Sequence, residues 1–97
     1  MNCFLGVSRG SSEPLKFVEV EYSGGESGSA PLAVVGKGIT FDSGGISIKP
    51  SAAMDEMRAD MGGAACTLGS LYTAARLQLP INIIGKHCLL LISLKLP

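Results

Sequence analysis

The chain has 97 residues, with eight Lys/Arg balanced by eight Asp/Glu and a mean hydropathy of +0.38. That allows one domain at most, with a modest core: a chain of this size buries only ~60–65% of its unfolded surface. The neutral balance excludes the basic excess of a nucleic-acid binder, and no polybasic run points to a membrane surface.

Charge is nonetheless uneven, since every acidic residue lies at or before Asp60 and only Arg76, Lys86, His87 and Lys95 follow it. Cys3, Cys66 and Cys88 are odd in number, far apart and without a CxxC pair. A reducing compartment therefore suits them better than a disulfide framework or a thiolate zinc site. The start, MNCFLGVSRG, lacks the basic and long apolar segments of a signal peptide. The late run CLLLISL is shorter than the ~20 apolar residues a bilayer crossing takes.

In chain order, residues 1–10 carry Phe4, Leu5 and Val7 before the breaker Gly10-Ser11-Ser12, and read as a short, frayed terminus. Leu15 to Tyr22 alternates, with Val18, Val20 and Tyr22 on one face, and predicts a strand. SGGESGSA (23–30) is a loop by composition, and Leu32 to Val35 is a short apolar run of the kind found in buried strands. Together these predict a β-hairpin.

Residues 36–53 are too rich in Gly, Ser and Pro for regular structure, and Pro50 bars a helix there. Met54 to Arg58 predicts one helical turn. The main helix follows over 61–78, with an apolar face of Met61, Ala64, Ala65, Leu68, Leu71, Tyr72 and Ala75, Asp60 as its N-cap and Pro80 as its stop. Cys66 falls on or near that face and reads as packing. Ile81 to Ile84 is a strand that completes a β-loop-α-β unit with a right-handed crossover. The fold class is therefore α/β with a mixed sheet, Leu32–Val35 and Ile81–Ile84 lying adjacent and parallel.

The chemistry concentrates in 34–60, VVGKGITFDSGGISIKPSAAMDEMRAD. A strand end followed by a Gly-rich turn is where open α/β folds place their sites. Asp42 and Asp60 are suitable oxygen ligands for zinc, manganese or magnesium. Turn formation by Asp-Ser-Gly-Gly and helix capping are the plainer roles for the same two residues. Lys37 ligates a metal only as the neutral amine, so a solvated lysine is its plainer reading, and Lys49, just before Pro50, is also an ordinary surface lysine by position. Gly36, Gly38, Gly44 and Gly45 permit positive φ or close approach to an ion or substrate, while Gly62 and Gly63 permit tight packing of the helix start against the site. A phosphate loop is the competing idea, but GxxxxGK[ST] is absent.

VGKGITFDSGGISIK followed by MRADMGGAA resembles the leucyl aminopeptidase (cytosol aminopeptidase) family of two-metal exopeptidases, and the resemblance runs from about Phe4 to Gly85. It implies that residues 1–85 are the first portion of a partial αβα peptidase catalytic domain. The remaining 86–97 diverge into an apolar tail, with a buried extra strand as the alternative. It further implies that Asp42 is a carboxylate shared between two divalent metal ions, that Asp60 ligates one of them, and that Lys37 is the unusual lysine ligand of the second. Lys49 corresponds to the catalytic lysine that polarises the scissile carbonyl and stabilises the gem-diolate, an oxyanion-type electrostatic role. His87 lies outside the matching stretch and reads as incidental.

The implied substrates are peptides with a free N-terminus, preferably leucine. The implied setting is a cytoplasmic homohexamer, with bicarbonate on an arginine as general base and no nucleic-acid or membrane partner. The family's further ligands and that arginine belong to a later motif, Asn-Thr-Asp-Ala-Glu-Gly-Arg, which these 97 residues do not contain. Three readings follow: a peptidase by descent that is inactive as this chain alone, a module that docks on full-length subunits, or an unstable product without a role.

Overall fold

The computed structural model describes residues 2–92, and side chains throughout that range except at 3, 4 and 88–92. Helix α1 spans Asn2–Ser8, strand β1 Lys16–Ser23, strand β2 Leu32–Asp42, helix α2 Gly62–Arg76 and strand β3 Asn82–Ile92, with a short 3-10 helix at Met54–Ala59 before α2. The strands form one mixed sheet in the order β1-β3-β2, β3 running antiparallel to β1 and parallel to β2. The fold is α/β, and the two apolar runs expected to be adjacent and parallel are so, Leu32 pairing with Ile83 and Ala33 with Ile84.

The expected hairpin does not form, because β3 lies between β1 and β2. β3 carries the most continuous apolar run of the chain, and such a strand takes the centre, where both of its edges are hydrogen-bonded. For the same reason it does not stop at Ile84: it crosses residues 85–86 without a break and pairs with β2 as far as Ile92. Of the segment 86–97, residues 93–97 lie outside the described residues.

β2 also exceeds expectation, staying extended through Gly36 and Gly38 to Asp42 with an irregularity between Ile39 and Phe41. A glycine inside a strand marks close backbone approach as often as a break. A Cβ on Gly36 would sit 2.7 Å from Ala64 Cα, and one on Gly63 would sit 2.8 Å from Lys37 N. The missing side chains thus let the first turn of α2 rest directly on β2.

The buried face of α2 is Ala64, Thr67, Leu71 and Ala74, rotated from the expected stripe. Leu68 (44% exposed) and Tyr72 (67% exposed) face outward. Small residues win the inward positions because the helix lies close to the sheet, Thr67 and Leu71 filling the space above Gly85. Cys66 is exposed rather than packed, for the same rotation. The helix ends before Pro80. Gln78 takes a left-handed conformation (φ 51°), its N–H donates to Ala75 O at 3.2 Å, and Leu79 N–H donates to Ala74 O at 3.0 Å. This is a Schellman closure with glutamine where glycine is usual.

Leu71, Ala74 and Ile83 form the core with Val20, Tyr22 and Val34 packed against them. Tyr22 and Val20 take the inward positions expected of the β1 alternation. The molecule is thin, 52 × 29 × 17 Å with a radius of gyration of 16.2 Å, against about 12.5 Å for a compact chain of this length.

Candidate functional site

Lys37, Asp42, Lys49 and Asp60 come from three different local settings. Lys37 lies within β2, Asp42 is the last residue of that strand, Lys49 closes the loop after it, and Asp60 terminates the 3-10 helix. Asp60 is therefore not the N-cap of α2. That position is Met61, which makes no side-chain cap, while the Asp60 carboxylate turns to Lys37, whose Nζ lies 2.7 Å from Oδ2. Oδ2 of Asp60 is itself buried, and the Lys37 charge reaches it without hydrogen-bond alignment.

Asp42 is enclosed by its own loop. Its Oδ1 accepts the Gly44 N–H at 2.8 Å, and Lys49 Nζ lies 2.8 Å from Oδ2. The plain turn role expected of Asp42 is thus present alongside the ion pair. The Lys49 N–H donates to Ser43 O at 2.9 Å, so the loop also closes through its backbone. Gly44 (φ 92°) makes this possible, since a Cβ there would collide with the Ser47 carbonyl oxygen.

The Asp42 carboxyl is held below its ordinary value, foremost by the hydrogen bond from Lys49; burial opposes this, and the Gly44 N–H and the charges of Lys49 and Lys37 assist. The Lys37 charge thus acts on both carboxylates, and the two ion pairs both start from the carboxyl half of β2, at Lys37 and at Asp42.

Two further residues belong to the description. Ser43, next to Asp42, is buried, and its Oγ finds no partner among the described residues. His87, read as incidental, is 1% exposed at the sheet centre, and neither ring nitrogen has a hydrogen-bond partner among the described residues. Its register opposite Gly36 explains its burial, and only the full extent of β3 reveals that register.

Two carboxylates and an amine suit a hard or borderline divalent cation, and the buried, hydrogen-bond-free Oδ2 of Asp60 is an oxygen such an ion would satisfy. Among the described residues no group of three or more His, Cys, Asp or Glu gathers. The fit is therefore to part of a metal coordination sphere.

Solved structures give the class. The chain superposes on leucyl aminopeptidase from Trypanosoma brucei in complex with bestatin with a TM-score of 0.86 and 33% identity, covering 95% of this chain and 18% of that one. It superposes on the bottromycin maturation enzyme BotP in complex with Mn with a TM-score of 0.79 and 43% identity, covering 92% and 19%. The chain therefore has the fold of one portion of such an enzyme.

The sequence comparisons narrow the class to a family. The family described as "Cytosol aminopeptidase family, catalytic domain" matches residues 1–91, and the chain belongs to it. The cytosol aminopeptidase of Rattus norvegicus is 62% identical over 86 residues, and that of Xenopus tropicalis 60% over 86, each covering 88% of this chain. The chain spans 17% and 16% of their respective lengths.

Proposed function

We propose that these four residues are the first half of a metal-dependent aminopeptidase site, which removes N-terminal residues, leucine by preference, from peptides. The observation that carries this reading is that Lys37 and Asp42, on the same strand, each hold an ion-pair partner from the segment that follows, Asp60 at 2.7 Å and Lys49 at 2.8 Å. Asp42, Asp60 and Lys37, the last as a neutral amine, would hold two divalent ions, zinc, manganese or magnesium. Such ions supply an activated water and an anchor for the substrate amino group.

Lys49, released from Asp42, would donate to the oxygen of the scissile carbonyl as charge develops there. Bicarbonate, a hexameric assembly and a cytoplasmic location complete the proposal for the whole protein. The names of the relatives support the location, and no helix among the described residues is long and apolar enough to cross a membrane.

The 97 residues alone supply only two carboxylates to hold two like-charged cations, and lack the arginine of the later motif. Ligand number and charge set metal affinity, and loss of a positioned general base costs ~10²–10⁴ in rate. The purified chain is expected to release no leucine from leucine amide with excess manganese. Turnover abolished by Lys49→Ala and Asp42→Ala would overturn that expectation.

A second reading, docking on full-length subunits, is favoured by the sheet face opposite α2, where Val35 is 78% and Phe17 51% exposed. Adding the chain to a full-length member and measuring co-sedimentation tests it; no complex at micromolar concentrations rejects it.

A further inference from the structure

The loop between Asp42 and Lys49 has almost nothing apolar to hold it. Ile46 is fully exposed and Ile48 is 59% exposed, so neither side chain anchors the loop to the core. Its closure rests on three polar contacts: Gly44 N–H to Asp42 Oδ1, Lys49 Nζ to Asp42 Oδ2, and Lys49 N–H to Ser43 O. Pro50 disfavours helical backbone at Lys49, and the Lys49 side chain reaches back to Asp42. The two side-chain contacts share one carboxylate, the one assigned above to a divalent cation. An ammonium 2.8 Å from Asp42 Oδ2 and a doubly charged cation on the same carboxylate repel each other.

We propose that Lys49 is a clasp: in the metal-free protein it holds the 42–49 loop shut on Asp42, and a divalent cation arriving at Asp42 displaces it. Lys49 is then a positioning residue for the loop before it acts on substrate. Its ammonium becomes available to a carbonyl oxygen only once the carboxylate has been taken by metal, so metal loading and release of the charged group are linked in both directions.

The displacement half of the proposal rests on the metal-site reading above; the closure half does not, and the two are measured separately. The first measurement is amide hydrogen exchange at Gly44 and Lys49 in the metal-free chain, for wild type, Lys49→Gln, Lys49→Arg and Lys86→Gln. Lys86→Gln removes a comparable ion pair, Lys86–Glu19 at 2.9 Å, on the sheet away from the loop. Circular dichroism confirms that each variant is folded.

Lys49→Gln is expected to speed exchange at both amides about two- to fivefold, Lys49→Arg to restore protection, and Lys86→Gln to change neither. Unaltered exchange in Lys49→Gln overturns the clasp. The second measurement is manganese affinity by electron paramagnetic resonance of the free ion. Lys49→Gln is expected to bind about two- to fivefold tighter than wild type, and Asp42→Asn to bind more weakly. Equal or weaker binding by Lys49→Gln overturns the displacement. Undiminished binding by Asp42→Asn overturns the metal reading of Asp42 and the displacement with it, while the exchange data still decide the closure.

Discussion

The two ion pairs of the site are similar in length and opposite in construction. Lys49–Asp42 is local, made inside one eight-residue loop whose glycines turn the chain back on its own carboxylate. Lys37–Asp60 is tertiary: it exists because α2 docks on β2 through Gly36 and Gly63 and carries the 3-10 helix against the strand. A local pair depends on turn conformation, and a tertiary pair depends on packing, so each should fail to a different substitution.

The largest effect is expected from the tertiary pair. Gly63→Ala places a methyl 2.8 Å from Lys37 N and forces helix and strand apart. Overpacking of this kind costs about 1–3 kcal/mol, read as a lower midpoint in urea unfolding. The Gly44 amide should keep its protection in that variant. Loss of protection at the Gly44 amide as well would mean that the two pairs are not independent.

Gly44→Ala is the converse. Its φ of 92° and the blocked approach to Ser47 O put the strain in the loop alone, at about 1–3 kcal/mol. Here exchange at the Lys49 amide should rise, while amides within α2 should move only as far as global stability does. Uniform acceleration throughout the chain would contradict a local origin.

The smallest effect is acid sensitivity. The folded-state titration point of Asp42 is depressed, so its contribution is fully present above the unfolded value of about 3.8. That contribution is lost as pH falls through the lower folded value. Wild type should therefore lose more stability on acidification below about pH 4 than Asp42→Asn does. Parallel pH profiles for the two would remove Asp42 from the account.

The same contrast explains what could be read from the sequence. The turn at Asp42 was legible, since DSGG is a turn in its own right, whereas its pairing with Lys49, which reads as a surface lysine, was not. The parallel strands were legible from two apolar runs separated by a helix. The rotation of α2 was not, because residues 64–75 present two overlapping apolar stripes. Only the closeness of the sheet selects the one lined by Thr67 and Ala74.

The position of β3 between β1 and β2 was hidden for a related reason. Adjacent segments suggest a hairpin, whereas the global competition for the buried centre is decided by a strand some fifty residues later. Asp60 was placed on the right stretch but in the wrong local role, because capping propensity says nothing about a lysine on another element.

The central claim is that two acid–lysine pairs tie Lys37 and Asp42 of β2 to Asp60 and Lys49. The lysine ammonium groups report it directly, as nitrogen-15 resonances of the Nζ atoms in the metal-free chain. Asp60→Asn should shift the Lys37 signal, and Asp42→Asn should shift Lys49 strongly and Lys37 to a lesser degree. Glu19→Gln should shift Lys86 and leave both others in place. Lys37 and Lys49 signals unmoved by Asp60→Asn and Asp42→Asn would contradict the account.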